Sequence, residues 1–486
     1  MKPFWILLCL FGLIFAILFS FRLGVFNKFN SVPEELASFS IERVPEKESW
    51  MNILQNGRKI GSSHTTISKT TKGYLLKETL YIRLNTMGLI QDLILKTTGK
   101  LKKNFTLSSF DFEISSGRFH FSAQGSVSGN ILSVKTHNFG STKDVHTEIK
   151  ERLYASSGIV NAVYASGMKP GDEFTLHVFN PVSMSSEPVT IKVIGKEKIL
   201  NMGIQKNSVK VAIQYQGAAQ LAWIGENGEV IREKGLLGFS LEKTTRKDAL
   251  LGLLAESSQD LTEIASVKSN VIIDNPLKLE RIEVEISGIN TKDVHLESGR
   301  QVLKDNVLII QKEKLAKLPD VINNMNTIPD RFVKPEPFIE SDHPKILNLV
   351  QKIVTDDDTP LEKANKLMTW VHKNIEKRPV LSLPDALATL MNRVGDCNEH
   401  AVLLAALARA AGIPARIEAG LVYLNGRFYY HAWNLLYIGR WITADSLFGQ
   451  LPADVTHIRF SSGRMQQQLD IMNVIGKVKL KILTFQ

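Results

Sequence analysis

The stretch RVGDCNEHAVLLAALARAAGIPAR, residues 393–416, predicts a buried helix that begins at a cysteine. Its centre, from Ala401 to Ala411, is apolar and rich in alanine, the residue with the highest helix propensity. Gly412 and Pro414 are the residue types that end a helix. Cys397 is therefore expected at the helix N-terminus. Unpaired N–H groups and the helix dipole at such a position lower the pKa of a thiol and are able to hold an oxyanion.

The residues that follow this helix predict a small antiparallel sheet. Ala415 to Leu424 has the pattern of a strand, Asn425-Gly426 that of a tight turn, and Arg427 to Tyr437 that of a returning strand. A third strand, Trp441 to Ala444, comes next along the chain. The sequence does not fix the register of these strands, so contacts between them are predictions.

Two residues on these strands complete a possible nucleophilic triad with Cys397. His431 lies on the second strand, on the same face as Trp433, and Asp445 ends the third strand. In such a triad the imidazole takes the thiol proton and the carboxylate orients the imidazole. Each residue alone also fits a structural role, as a packed thiol, a packed histidine or a turn cap. Their order on helix, strand and strand favours the catalytic interpretation.

Four segments together resemble the transglutaminase-like superfamily, and more narrowly its bacterial, membrane-anchored members with a β-rich N-terminal region. The segments are GDCNEHA (395–401), ARAAGIPAR (408–416), HAWN (431–434) and WITAD (441–445). The resemblance extends from about Phe338 to the C-terminus, with looser similarity at 50–61 and 223–233. It implies a papain-like α+β domain with a catalytic triad of Cys397, His431 and Asp445. Many relatives have an acidic residue where this chain has Leu435, and proline where it has Ser446.

The chemistry that the resemblance implies is acyl transfer through a thioester. The enzyme would be a cysteine protease-like or transglutaminase-like acyltransferase or amidohydrolase, acting on carboxamide or peptide bonds of a protein or peptide substrate. The sequence leaves open whether an amine or water resolves the thioester. The alternative of another class is a non-catalytic protein of the cell envelope that binds or assembles partners.

No cofactor or metal is expected. The sequence shows no His/Cys cluster with the spacing of a metal site. The run Asp356-Asp357-Asp358 lacks the glycine and the closing glutamate of a calcium loop, so it is interpreted as a solvated helix start. Thr359-Pro360-Leu361-Glu362 next to it predicts a helix with a capping box.

The rest of the chain predicts a β-rich region and a membrane anchor. Four units are expected: an anchor at 1–30, a β-rich domain at 45–255, a small β unit at 266–315 and the transglutaminase-like domain at 338–486. Between about Trp50 and Leu241, short strands alternate with turns, including Asn56-Gly57 and Asn227-Gly228, both interpreted as type I′ turns. The predicted class is thus α+β: a large antiparallel β-rich domain, a small β unit and a papain-like C-terminal domain.

The apolar run from Phe4 to Phe21 is interpreted as a single transmembrane helix. It is near the minimum length that spans a bilayer, and Phe19-Ser20-Phe21 offers no cleavage site for a signal peptidase. The protein is therefore expected in a membrane, with the bulk of the chain in the periplasm or otherwise outside the cytoplasm. A cleaved signal peptide is the alternative.

Composition narrows the remaining possibilities. A chain of 486 residues predicts two to four domains. The net charge of +10 is spread over many sites rather than one basic arm, so no nucleic-acid partner is expected. No disulfide is predicted between the two cysteines, because Cys9 lies in the N-terminal apolar run and Cys397 lies far from it in sequence.

Overall fold

The computed structural model describes residues 47–486, apart from 118, 139–140, 166, 168, 182–183, 216–217, 253–258, 316–327 and 464–473. The predicted anchor, Phe4 to Phe21, lies outside the described residues. Within the described part of the chain, no helix has both the length and the apolar character needed to cross a membrane. The anchor therefore stays a prediction.

A sheet of 15 strands forms the N-terminal region, which confirms the prediction of a large β-rich region before the C-terminal domain. The strands run in the order β8 to β1 and then β15 to β9, so β1 and β15 join the two halves. Neighbouring strands are antiparallel except β9 and β10. The strands are β1 Lys47–Gln55, β2 Arg58–Thr70, β3 Gly73–Thr86, β4 Leu89–Lys102, β5 Leu107–Ser116, β6 Phe119–Ser128, β7 Ile131–Asn138, β8 Ser141–Glu148, β9 Leu153–Tyr154, β10 Glu173–Asn180, β11 Ser185–Asn201, β12 Ile204–Tyr215, β13 Ala218–Gly225, β14 Val230–Lys234 and β15 Phe239–Thr244.

The turns of the sheet follow the sequence pattern in one predicted case and depart from it in the other. Asn56 and Gly57 both have positive φ, 49° and 81°, as a type I′ turn requires. At the second Asn-Gly pair only Gly228 has a positive φ, 70°. The type I′ prediction is wrong there, because the bond from the Gly225 N–H to the carbonyl of Glu229 closes a longer loop of three residues, 226–228.

The sheet curves around an apolar core to which both halves contribute. Leu76 of β3, Leu176 of β10 and Ile191 of β11 are almost completely buried in one cluster. Helix α1, Ile159–Ala165, lies in the same cluster and buries Ala162 and Val163. Along each strand, every second side chain points to the inner face of the sheet, and these side chains form the core. The β-rich region therefore needs no second sheet to pack against.

The turns lie at two opposite rims of the sheet, because neighbouring strands run in opposite directions. The rim that contains the turns at 56–57 and 87–88 is called the proximal rim. The rim that contains the turns at 71–72, 202–203 and 226–229 is called the distal rim. Strand β1 enters the sheet at the distal side, with Lys47, and ends at the proximal rim, with Gln55.

The C-terminal domain packs helices around a central buried helix, against a five-stranded sheet. The sheet consists of β16 Val267–Lys268, β22 Ala415–Leu424, β23 Arg427–Tyr437, β24 Trp441–Ala444 and β25 Ile458–Gly463. The helices are α4 Pro344–Ile353, α5 Pro360–Asn374, α6 Ala386–Asn392 and α7 Cys397–Ala410. Helix α7 is buried from Glu399 to Arg409. The capping box predicted at Thr359 and Glu362 is confirmed, and so is the tight turn at Asn425 and Gly426, where both residues have positive φ.

The segment predicted as a separate small β unit shares a sheet with the end of the chain. Strands β17 Arg281–Ser287, β18 Gln301–Lys304 and β19 Val307–Gln311 form one sheet with β26 Lys479–Phe485. The core of this sheet includes Ile282 together with Leu421 and Phe428 of the five-stranded sheet. Residues 266–315 and the domain that begins near 338 therefore share one sheet and one core and are called the C-terminal body. The predicted domain bounds stay a prediction.

Between the large sheet and this body the chain forms two short helices, α2 Arg246–Leu250 and α3 Leu261–Ala265. The body contacts the proximal rim. Gln91 of β4 donates to the carbonyl of Pro379 at 3.0 Å and accepts from the N–H of Leu381 at 3.1 Å. Lys143 of β8 pairs with the buried Glu340 at 2.5 Å. The C-terminal body thus lies at the proximal end of the sheet.

Candidate active site

The start of α7 is fixed by reciprocal capping around Cys397. The Asp396 carboxylate accepts from the N–H of Asn398 at 2.9 Å, and the Glu399 carboxylate accepts from the N–H of Asp396 at 3.0 Å. These bonds satisfy orphan donors of the first turn. Gly395 is required before the cap, because a Cβ there would lie 2.2 Å from the Cβ of Glu399. The capping box makes Cys397 the first residue of the helix.

Strand β23 is held against the start of α7 by two contacts. The Asn434 side chain donates to the carbonyl of Ala401 at 2.9 Å. The backbone N–H of Ala432 lies close enough to Cys397 to lower the pKa of its thiol. Because His431 directly precedes Ala432 in the strand, the backbone of the histidine lies beside the start of α7. The pairing of Cys397 with His431 stays a prediction.

His431 and Asp445 are in direct contact. The imidazole Nε2 lies 2.6 Å from Oδ2 of Asp445, and both side chains are buried. A proton on Nε2 satisfies this bond, so the second ring nitrogen, Nδ1, carries the lone pair that accepts a proton. Histidine and aspartate lie on antiparallel neighbours, with Asn434 opposite Ala444.

Asp445 accepts hydrogen bonds from four donors. Besides His431, its oxygens accept from the backbone N–H groups of Leu447 and Phe448 at 2.7 and 2.9 Å, and from a second imidazole, His457, at 3.0 Å. Burial alone would raise the pKa of Asp445, but the charges and hydrogen bonds of His431 and His457 hold it well below its usual range. The carboxylate is therefore ionised and fixed in orientation.

His457 lies behind the carboxylate and is completely buried. Its Nε2 bonds to Asp445, and its Nδ1 lies 3.3 Å from Oδ1 of Asp454. Burial alone would lower the pKa of His457, but the bonds to Asp445 and Asp454 raise it to about 9. At neutral pH the ring is thus an imidazolium between two carboxylates, and a line of side chains extends from His431 through Asp445 and His457 to Asp454.

Aromatic rings surround the two histidines. Phe448 stacks on His431 with the ring centroids 4.9 Å apart and the planes at 16°. Trp433 lies on the same strand face, 6.1 Å from His431, and meets His457 edge-on at 5.1 Å. The Trp433 indole is itself fixed by the buried Glu418 at 2.9 Å. These contacts restrict both imidazoles to one orientation.

The pKa of the Cys397 thiol differs from the sequence-based expectation. Burial raises the pKa of Cys397 well above its usual range, and the carboxylate of Asp396 raises it further, while the Ala432 N–H bond lowers it. The prediction of a lowered pKa considered only the helix N-terminus. The capping box places two carboxylates, Asp396 and Glu399, beside the sulfur, and a sequence pattern does not weigh them against the helix dipole.

The cluster of His431, Asp445 and His457 has ligand atoms within 4.8 Å of one another, as a metal site does. The distances from Oδ2 of Asp445 to the two imidazoles, 2.6 and 3.0 Å, are those of direct hydrogen bonds. Two ligands of a tetrahedral zinc ion lie farther apart, at about 3.3 Å for bonds near 2 Å. We therefore interpret the cluster as a hydrogen-bonded network.

Comparison with known families decides the class of the domain. The model of the transglutaminase-like superfamily matches residues 347–446. These residues form a transglutaminase-like domain. The match contains Cys397, His431 and Asp445, and it ends before Asp454 and His457, the two buried residues that the sequence analysis missed. Their spacing in sequence offers no motif, and only the fold brings them behind Asp445.

Similarity to solved structures is weak throughout. A candidate cysteine protease from Cytophaga hutchinsonii is 17% identical, with a TM-score of 0.29, covering 42% of this chain and 86% of its own. A β-barrel-like protein from Brucella abortus, of a domain of unknown function, is 11% identical, with a TM-score of 0.33, covering 42% and 96%. A candidate protease from Parabacteroides distasonis is 12% identical, with a TM-score of 0.20, covering 67% and 64%. No curated protein matches the chain.

Proposed function

We propose that the transglutaminase-like domain is a cysteine acyltransferase or amidohydrolase that acts on carboxamide or peptide bonds of a protein or peptide. The observation that carries the proposal is the 2.6 Å bond between His431 Nε2 and Asp445, which leaves Nδ1 as the basic nitrogen on the strand that contacts the sulfur. Cysteine, histidine and an orienting carboxylate in this arrangement are the components of a thiol acyl-transfer site.

In the proposed reaction, the Cys397 sulfur attacks the substrate carbonyl carbon while its proton passes to Nδ1 of His431. The tetrahedral intermediate collapses when the C–N bond breaks and His431 gives this proton to the leaving amine. The product is a thioester on Cys397. Water or a second amine then attacks the thioester, with His431 again taking and returning one proton, and the thiol is regenerated.

The raised pKa of Cys397 indicates when the thiolate forms. A thiol that is half-buried and flanked by Asp396 and Glu399, with its pKa raised well above the usual range, is neutral in the resting enzyme at neutral pH. The proton therefore moves to His431 as the substrate carbonyl arrives, rather than before binding. Alkylation of Cys397 by iodoacetamide is expected to be slow at neutral pH and to accelerate as the pH rises. Fast, pH-independent alkylation near neutrality would contradict this order of events.

The proposal is tested by trapping the thioester. The full chain is treated with an acyl-donor activity probe, and the probe adduct is located by mass spectrometry. Labelling is expected at Cys397, and it should be absent in Cys397→Ala and strongly reduced in His431→Ala. Cys9→Ala serves as the control and should label as the wild type does. If Cys397 stays unlabelled while the chain is folded, the protein belongs with non-catalytic binding or assembly proteins of the cell envelope.

A further inference from the structure

The hairpin of β11 and β12 exposes large apolar side chains at the distal rim. Leu200, Met202 and Ile204 are 60%, 53% and 63% exposed. Each such side chain gains about 1.5–3 kcal/mol when it is removed from water. Three of them within five consecutive residues form a small apolar surface, for which contact with an apolar phase is more favourable than contact with water.

Hydrogen bonds fix the backbone and side chains around this tip, and its three apolar side chains stay exposed. The Asn201 side chain donates to the carbonyl of Lys243 at 2.9 Å, and Arg232 donates to the carbonyl of Leu200 at 3.2 Å. On the opposite face of the hairpin, Ile199 is 5% exposed and packs in a small cluster with Trp223. Leu200 therefore lies on the outer face and Met202 in the turn. Ile204, paired with Asn201, is on the same face as Ile199 and stays exposed.

Basic side chains outnumber acidic ones around the tip. Lys196 and Lys198 are exposed on β11, and Lys206 follows the tip on β12. Lys47, Lys243 and Lys206 lie near one another there, with Glu229 among them. The nearby glutamates have partners within the protein: Glu197 with Lys210, Glu226 with Asn207, Glu229 with Lys243 and Glu242 with Arg232.

Other turns of the distal rim carry more lysines. Lys72 in the β2–β3 turn is exposed, as are Lys102 and Lys103 at the end of β4. The proximal rim differs in its charge. Its β3–β4 hairpin also has an exposed Met-Gly turn, but there the basic Arg83 is neutralised by Asp92 at 2.7 Å. The excess of positive charge therefore coincides with one of the two apolar tips.

The chain enters the sheet at this same rim. Lys47, the first residue of β1, donates to the carbonyl of Asn227 in the β13–β14 turn. The 46 residues before it include the apolar run Phe4 to Phe21. The C-terminal body contacts the proximal rim, at the other end of the strands. A bilayer that contains the apolar run would thus face the distal rim and leave the active site uncovered.

We propose that the distal rim is a membrane-docking surface, in which Leu200, Met202 and Ile204 insert among anionic lipid headgroups and the surrounding lysines bind those headgroups. Apolar insertion flanked by lysines is the combination that binds interfacial segments to anionic bilayers. The proposal concerns the sheet and does not depend on the reaction at Cys397.

The chain offers a matched pair of probe sites for the test. Met202 and Met87 each precede a glycine in a two-residue turn, both have a φ of 52°, and they are 53% and 59% exposed, but they lie at opposite rims. A nitroxide is attached to Met202→Cys or Met87→Cys in the full chain, in which Cys9→Ala and Cys397→Ala remove the native thiols. The chain is reconstituted into vesicles with equal parts of phosphatidylcholine and phosphatidylglycerol.

Collision rates with oxygen and with a water-soluble nickel complex then report the depth of each label. The label at 202 is expected to collide preferentially with oxygen, and the label at 87 with the nickel complex. Replacing Lys196, Lys198 and Lys206 by glutamine should shift the 202 label toward water. A 202 label as exposed to nickel as the 87 label would overturn the docking surface. Equal insertion on pure phosphatidylcholine would overturn the role of the lysines.

Discussion

The two parts of the molecule bury charge in different ways. The C-terminal body contains ion pairs in which both side chains are buried, as Arg459 and Glu418 are at 3.0 Å. In the large sheet, the enclosed carboxyls of Glu78 and Glu233 face neutral partners, Ser157 and Gln220, and burial raises the pKa of both. Paired ions hold one geometry, whereas unpaired acids take up a proton. Buried acids with a raised pKa also occur in the C-terminal body, as at Asp385, so the difference lies in the buried ion pairs that fix the geometry of that body.

The largest effect is expected from His431, the imidazole of the proposed triad. His431→Ala should lower the turnover of an amide substrate on the order of 10³-fold, because general acid–base catalysis is lost. The exposed His120 of the sheet offers the control, and His120→Ala should leave turnover unchanged. Steady-state kinetics of both variants measure the contrast. Equal losses in the two would show that the effect is not local to the proposed site.

The ion pairs of the two parts should differ in stability. Glu418→Ala leaves Arg459 buried without its carboxylate and is expected to lower the free energy of unfolding by about 3–5 kcal/mol. The pair of Lys96 and Glu113 on the sheet is 3.9 Å long and at least half exposed, so Glu113→Ala should cost less than about 0.5 kcal/mol. Urea unfolding of each variant gives both values. Similar costs would remove the distinction between the two regions.

The buried His457 should make the stability of the C-terminal body dependent on pH. Its pKa rises from 6.5 in the unfolded chain to about 9 in the folded one. The stabilisation is therefore complete below pH 6.5 and is lost as the pH rises through 9. His457→Gln removes it, so the difference in unfolding free energy between wild type and variant should shrink by on the order of 3 kcal/mol across that window. A constant difference from pH 6 to pH 10 would show that His457 is neutral.

The smallest effect is expected inside the sheet. The pKa of Glu233 is raised from 4.5 to about 7, mainly by burial and then by the charge of Glu78. The acid therefore stabilises the fold below pH 4.5 and loses this contribution as the pH rises through 7. Glu233→Gln should gain about 1 kcal/mol over wild type at pH 8, a value reduced because the side chain is partly exposed. Thermal unfolding at pH 4 and pH 8 tests the sign, and a loss at pH 8 contradicts it.

The sequence predicted the local elements that depend on short-range signals. The helix that begins at Cys397, the capping box at Thr359 and the turn at Asn425-Gly426 each follow from residues within one turn of one another. The type of turn at Asn227-Gly228 was not predicted correctly, because a hydrogen bond between Gly225 and Glu229 closes a longer loop there. Turn type depends on where the flanking strands pair, and a dipeptide does not contain that information.

Features that depend on long-range pairing could not be predicted. The pairing of β17 with β26 joins residues almost 200 positions apart in sequence. His457 lies on no motif, and its contact with Asp445 depends on how the chain returns after β24. The pKa of Cys397 depends on burial, which the helix pattern alone does not give. Composition and periodicity thus locate the chemical groups, while the fold determines which groups meet and in what protonation state.

The length of the central strands sets a distance within the molecule. β3 and β4 have 14 residues each, and at about 3.3 Å per residue a strand of this length spans at most about 45 Å. The transglutaminase-like domain is attached at one end of these strands, and the chain enters at the other. With the distal rim on a bilayer, Cys397 would stand several nanometres above the lipid. The acyl donors within its reach would then be long, soluble chains or domains that project from the membrane, and bonds at the level of the headgroups would be too low to enter the site.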